Sequence, residues 1–298
     1  IVFTMDIKFP KCEDGLSTSE RPPPQLSFKN TLIQVNENFS YDNWNKNPVY
    51  SVYFTQLFKY LQPLSKEYLK DSHDLIHFLM VFMNHNVAKE LMKHKCGIYR
   101  NVSYTSHDNN IPKDIPSNVY TYLNQYRYSV GHYVNFEDVC NHEFLKFDSY
   151  LHITSPIRRL VDLLNMVSIQ KHMHLIEFNN GMQIFYDKWY NRIDYINTTM
   201  RCIRKVQSDC HILSLFENDK HNNYSSITNK LYVGYVFDKV KRTDLQFQYN
   251  VYIPDLKLNT RITTLSDFEN YDEQIFKLFM FSTEYSVKKK IKLQVIKP

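Results

Sequence analysis

No Cys-x-x-Cys pair occurs in this chain, and its 5 cysteines, an odd number at positions 12, 96, 140, 202 and 210, show no paired spacing. That excludes a disulfide scaffold or a cysteine-built zinc finger, and it fits reduced thiols in the cytoplasm. The 12 histidines are scattered. His172 and His174, two apart, would point to different sides of a helix, so no metal site is read from His or Cys. A membrane-length run is missing as well. The most apolar window, Leu75 to Val87, carries His77, Asn84, His85 and Asn86, whereas a bilayer span needs about 20 apolar residues. The chain opens Ile1-Val2-Phe3-Thr4-Met5, with no initiator Met and no basic-then-apolar signal pattern, so a fragment or a processed product is expected. A strong charge of one sign is absent too. Against 31 Asp and Glu stand 36 Lys and Arg, a formal +5, which suits a polyanionic partner without requiring one.

What is present is a globular chain. Its 298 residues are 43% hydrophobic, enough for one large or two ordinary domains with real cores. Residues 1 to 9 and Gln25 to Asn36 alternate apolar and polar positions as half-buried strands do, and the prolines of Thr18 to Pro24 make the hairpin loop between them. From Tyr50 to Lys95 apolar residues recur at three-to-four spacing, with Pro63 and Ser65 separating two helices, the second starting near Asp71. Asn101 to Ser117 reads as a surface loop, and Asn118 to Tyr128 and Asn135 to Cys140 as short helices. Two long helices follow, Pro156 to His174 and Met182 to Phe216. Polar Asn218 to Asn229 is the linker. Beyond it the period changes to two: Tyr232 to Lys241, Leu245 to Tyr252, Thr260 to Thr264, Lys277 to Ser282 and Val287 to Ile296. Five short strands fit a small oligonucleotide-binding type of barrel. Lys288-Lys289-Lys290 on the last strand reads either as a solvated edge that discourages aggregation or as an RNA contact.

The run Thr154-Ser155-Pro156-Ile157-Arg158-Arg159-Leu160-Val161-Asp162 carries the chemistry. Ser155 is a favoured N-cap, Pro156 suits the first helical position, and Leu160, Val161, Leu163, Leu164 and Val167 supply a buried face, so a helix is predicted to start here. Its first turn would offer open N–H groups and the positive end of the dipole to an anion. Arg158 and Arg159 in that turn are out of place without an anion, since the dipole disfavours each by about 0.3–1 kcal/mol. Asp162 is spaced to hold Arg158 from below. A second reading, surface ion pairs with Asp162 as partner, stays open at this level.

The longer run Tyr150 to Asp162 resembles the signature of the ribonuclease II and ribonuclease R (RNB) exoribonuclease family. Other segments resemble the family in order: Leu32-Ile33 through Asn38-Phe39-Ser40-Tyr41-Asp42 its strand and clamp tyrosine, Met83 to Lys89 its long helix with the Asn, and Gly97-Ile98-Tyr99-Arg100 the strand after it. His142 sits where the family often has a His, and the terminal barrel is similar to its S1 domain. The resemblance implies an α/β (mixed α+β) RNB-type catalytic domain, N-terminally incomplete, over residues 1–217, a linker at 218–229, and a five-stranded OB/S1-like barrel over 230–298. It implies 3′-to-5′ hydrolysis of single-stranded RNA to nucleoside 5′-monophosphates by a water nucleophile on Mg²⁺. Arg158 would be catalytic, clamping the phosphate at the cut. Thr154, Ser155, Arg159, Arg100, Tyr41 and Gln207 would bind RNA, with Tyr41 against the terminal base. With no flanking match, Tyr41 would read as one more core aromatic among 23 Tyr.

Departures from the family qualify this. Thr4-Met5-Asp6 followed by Cys12 to Ser17 looks like the metal-binding aspartate cluster but holds two of its four aspartates and lies too near Tyr41. The true cluster is expected upstream, so Mg²⁺ is implied with no ligands in this chain. His77 and Phe78 stand where the family has a Glu pair, and Gln207 where it has a Glu. The expectation is therefore a phosphate clamp that is inactive alone. The alternative is a non-catalytic RNA-binding protein of the same fold, and a third reading is a structural protein whose barrel binds a protein partner. No membrane association is expected, protein partners are unspecified, and a monomer is expected.

Overall fold

In the computed structural model residues 2–10, 22–65, 68–102, 111–112, 114–129, 131–143, 145–219, 221, 224–283 and 286–296 are described. They form two compact units, Ile1–Ser103 with Gly131–Ile193, and Tyr104–Val130 with Asp194–Pro298.

In the first unit β1 (Val2–Lys8) and β2 (Gln25–Thr31) pair antiparallel, Val2 opposite Thr31 and Lys8 opposite Gln25. Phe3 and Phe28 stack at 5.8 Å and lie against the core. The expected hairpin is therefore present, with its second strand ending at Thr31 and not at Asn36, although its loop at 11–21, including Cys12 to Ser17, lies outside the described residues. α1 (Tyr41–Lys46), absent from the sequence reading, is capped by the Ser40 hydroxyl, which accepts the Asn43 N–H. α2 (Pro48–Leu61) and α3 (Ser72–Lys93) are the two helices that Pro63 and Ser65 were expected to separate.

The N-cap of α3 is Asp71, whose carboxylate accepts the Asp74 N–H. Asn84, Val87, Ala88 and Leu91 line its buried face at helical spacing. After α3 the chain turns through Gly97 at φ +102°, where a Cβ would come within 3.0 Å of Leu91 Cδ1, so glycine is needed on both counts. β3 (Ile98–Asn101) then pairs antiparallel with β4 (His132–Asn135). Around them Val87, Ala88, Leu91, Tyr99, Leu151, Ile153 and Ile169 form the core. Each fully buried apolar side chain contributes about 1.5–3 kcal/mol. α5 (Leu160–His172) and α6 (Asn180–Tyr190) complete this unit.

In the second unit, α4 (Ser117–Ser129), α7 (Ile193–Asn218) and the short α8 (Ser225–Thr228) accompany five strands. These are β5 (Leu231–Lys241), β6 (Phe247–Ile253), β7 (Leu258–Thr264), β8 (Glu273–Thr283) and β9 (Ser286–Val295), in the order β7-β6-β5-β8-β9 and antiparallel throughout. The edge strands β7 and β9 approach each other, so the sheet nearly closes as an OB-like barrel. Central β5 is buried on both faces. Tyr232 and Val236 enter the barrel core with Phe216 of α7, while Tyr235 and Phe237 pack on Val119 and Leu123 of α4. The mixed α/β class and the terminal barrel of the sequence reading are thus present.

Three expected elements differ. The helix expected over Pro156–His174 begins at Leu160, because Arg159 is extended at φ −127° and ψ 118°, while Ser155 O accepts the N–H groups of Arg158 and Arg159 in a separate turn before it. Met182–Phe216 is two helices, since at Asn191 ψ opens to 3° and the next N–H, of Arg192, closes a tighter turn on Trp189 O at 3.0 Å. The segment Asn135–Cys140 is the end of β4 and a single 3-10 turn at Phe136–Asp138. In the linker, residues 220, 222 and 223 lie outside the described residues, as do the side chains of Lys288, Lys289 and Lys290.

Candidate nucleic-acid interface

The signature run is held from behind by two buried amides. Asn84 of α3 donates through Nδ2 to the Tyr150 hydroxyl at 2.9 Å and accepts the Ile153 N–H at 3.0 Å. Asn165 of α5 accepts the Ile98 N–H at 2.8 Å and donates to the carbonyls of Ile98 and His152 at 2.8 and 3.0 Å. Both side chains are fully buried, so each bond is made away from competing water. Arg100 N–H donates to Tyr150 O at 2.8 Å, stitching the run to β3.

Beyond this clamp the chain makes the turn Thr154–Arg159. Arg158 and Arg159 N–H groups donate to Ser155 O at 3.2 and 3.1 Å. Asp162, fully buried in the first turn of α5, accepts the Ser155 N–H at 2.8 Å and the Arg159 Nη2 at 3.0 Å on one carboxylate oxygen. Its other oxygen lies 2.9 Å from Arg159 Nε, near in distance but off the N–H axis, which makes it an electrostatic contact. Burial pushes the Asp162 carboxyl up, and Arg159 and the Ser155 N–H act against that push.

This corrects two expectations. Ser155 is not the N-cap of α5, whose first flanking residue is Arg159, and the two arginine N–H groups are used inside the turn instead of facing an anion. The partner of Asp162 is Arg159, not Arg158. Side chains on a helix lean toward its N-terminus, so Asp162 reaches back over Arg159 and the Ser155 amide. Ile157 and Arg158 are left on the outside of the turn, Ile157 with 102% relative exposure. The Arg158 guanidinium hydrogen-bonds to no described residue.

The remaining positions divide into three places. Arg100 joins the turn from behind, 5.7 Å over the Tyr133 ring. It fits because Gly131 has no side chain; a Cβ there would lie 2.7 Å from the guanidinium. Burial pushes the Tyr133 hydroxyl up, with Arg100 and Arg159 opposing. Tyr41 begins α1 with its ring about half exposed, edge-on to His73 at 5.1 Å. Gln207 is exposed on α7, in the second unit. Thr154 is exposed and Ser155 half-buried in the turn itself.

Two histidines line the rear of the turn. His152, whose Nδ1 lies 2.9 Å from the Tyr133 hydroxyl, is pushed down to about 2 by burial and then by Arg159 and Arg100. His142, edge-on to Tyr150 at 4.9 Å, is pushed down to about 4 by burial and Arg100. Both are neutral at ordinary pH, so the charge behind the turn is that of the arginines. Asn165, Tyr133 and Gly131 were not singled out in the sequence. Asn165 had a signal, being an amide on the otherwise apolar stripe of Val161, Leu164 and Ile169.

The described residues do not fit Mg²⁺ at this turn. Asp6 lies 2.5 Å from Lys29 Nζ in an exposed ion pair, and Asp162 is engaged by Arg159 and the Ser155 N–H. Among the described residues one set of ligand-type side chains converges, Asp71, His73 and Asp74. It is the cap of α3, since Asp71 accepts the Asp74 N–H and Asp74 the Lys70 N–H, each at 3.0 Å.

No family model and no curated protein matches the sequence. Solved structures do match. RNase R from Mycoplasma genitalium, in complex with ribose-methylated single-stranded RNA, superposes with a TM-score of 0.56 at 16% identity, over 88% of this chain and 54% of that one. An active-site mutant of the Dss1 exoribonuclease from Candida glabrata gives 0.53 at 17% identity, over 88% of this chain and 38% of that one. The chain therefore spans about half or less of the proteins it resembles. Over most of its length it has the fold shared by RNase R and the Dss1 exoribonuclease, and the turn with Arg158 is carried on that fold.

Proposed function

We propose that this chain is the RNA-holding part of an RNase R-like 3′-to-5′ exoribonuclease. The observation that carries the reading is Arg158, an exposed guanidinium on a turn tied down by the buried side chains of Asn84, Asn165 and Asp162. A guanidinium that hydrogen-bonds to no described residue, on a turn held by buried side chains, keeps its donors for a phosphate. Arg158 would meet the phosphate at the cut and stabilise charge as it develops there. Thr154 and Ser155 would supply hydroxyls at the same turn, and Arg159, engaged with Asp162, would shape it and reach the next phosphate with its remaining donors. Arg100 supports this charge from β3. Tyr41 offers a half-exposed ring for a terminal base and Gln207 an amide acceptor. The Mg²⁺ that such hydrolysis uses would be held by carboxylates outside this chain.

The OB-like barrel supports the same reading, since such barrels commonly carry single strands on a strand face. The test separates holding from cutting. The 298-residue chain should bind a fluorescent oligoadenylate and release no nucleotide from it when Mg²⁺ is added. Absence of binding would overturn the RNA reading. Mg²⁺-dependent release would overturn the placement of the metal ligands elsewhere.

A further inference from the structure

The strand face that barrels of this type offer to a single strand is already occupied. That face is made by the second and third strands, here β6 and β7, with β5 beside them. Two rows of side chains cross it. Tyr235, Tyr252 and Asn259 stand opposite one another in the first, and Phe237, Asn250 and Arg261 in the second. Val236 and Val251, the residues between the rows, point into the barrel core. Rings, amides and a cation in adjacent rows are what a strand face presents to stacked bases and a phosphate backbone.

What covers these rows is α4. Tyr122 lies flat on Tyr252, centroids 3.5 Å apart and planes at 5°, as a stacked base would lie. Tyr126 stands edge-on to Phe237 at 5.0 Å, and its hydroxyl accepts from Asn250 Nδ2 at 3.0 Å. Val119 and Leu123, both buried, pack with Tyr235, Phe237 and Tyr252. Arg261, at the end of the second row, stays exposed. Isolated helices shorter than about 12–15 residues are marginal in water, so the 13-residue α4 depends on this packing for its form. The barrel does not depend on α4 in return. Its core of Tyr232, Val236, Tyr249, Val251 and Phe276 is a separate cluster closed by its own strands. A cover outside that core can leave while the barrel stays folded.

We infer that α4 is an internal competitor for RNA at the barrel, standing where bases would stack, so that α4 and a single strand exclude each other on the β5–β7 face. The inference rests on the RNA reading of the barrel and not on Arg158. A covered face binds in proportion to the fraction of molecules in which it is open, so loosening α4 must strengthen binding. The test is fluorescence anisotropy of an oligouridylate with the 298-residue chain carrying Arg158→Ala, which removes the contribution of the turn. Adding Leu123→Asp, a charge beneath α4, should raise the affinity at least about tenfold, the worth of one base stacked on a ring. Tyr122→Ala, which deletes the stacked ring alone, should raise it by a smaller factor. Phe237→Ala and Tyr252→Ala together should abolish the gain of Leu123→Asp. Hydrogen exchange checks the fold: in Leu123→Asp the amides of 117–129 should exchange faster while those of β5–β7 keep their protection. Should Leu123→Asp unfold the barrel, Tyr122→Ala decides alone. Affinity unchanged or lowered on loosening α4 would overturn the inference, as would a gain that survives the loss of Phe237 and Tyr252. A parent chain that binds no RNA, with the gain still present in the variants, would count against the turn and not against the cover.

Discussion

At the scale of the residue, the turn depends on side chains with no water to fall back on. Asn165 satisfies three backbone groups at once, the Ile98 N–H and the carbonyls of Ile98 and His152. Replacing it with leucine of similar size leaves all three unpaired, at about 1–3 kcal/mol for each buried group. Asn165→Leu should therefore lower the urea midpoint by an amount equal to several kcal/mol. Arg158→Ala, on an exposed side chain, should stay within about 0.5 kcal/mol of the parent. Equal stability of parent and Asn165→Leu would contradict the clamp. The sequence showed Arg158, Arg159 and Asp162 as a group but not who pairs with whom. Spacing of four suggested Arg158, whereas the backward lean of a first-turn side chain delivers Arg159.

At the scale of the element, the segment from β4 to His152 buries two histidines that must stay neutral. Both have folded values below the ordinary value of about 6.5, His142 at about 4 and His152 at about 2. Below pH 6.5 the unfolded chain binds protons that the folded chain refuses, so their contribution is complete above that pH and is lost as pH falls. The urea midpoint should drop between pH 6.5 and 5, before most carboxylates titrate, and His152→Gln should flatten the drop. A midpoint that rises over this interval would contradict the burial. Elements marked by periodicity were legible: α3, α4, β1, β2 and the five barrel strands. Those set by one residue leaving helical geometry were not. The late start of α5 follows from the extended Arg159 after the Ser155 turn, and the break after α6 from Asn191, where the Arg192 N–H closes on Trp189 O; no repeating pattern announces either.

At the scale of the whole molecule, a helical unit carries the Arg158 turn and a second unit carries an OB-like barrel. The barrel was readable because its alternation is long and its strands are short. Charge was a weaker guide. The +5 of the whole chain says less about RNA than one exposed arginine whose guanidinium hydrogen-bonds to no described residue. The central claim is that this turn holds RNA through phosphate. The most direct measurement is the affinity of a single-stranded oligoadenylate for the parent chain and for Arg158→Ala across a salt series. Each phosphate contact on a single strand contributes about 0.7 to the slope of log affinity against log salt. The variant should bind about tenfold or more weakly, with a slope shallower by about 0.7. Identical affinity and slope in the two proteins would contradict the account.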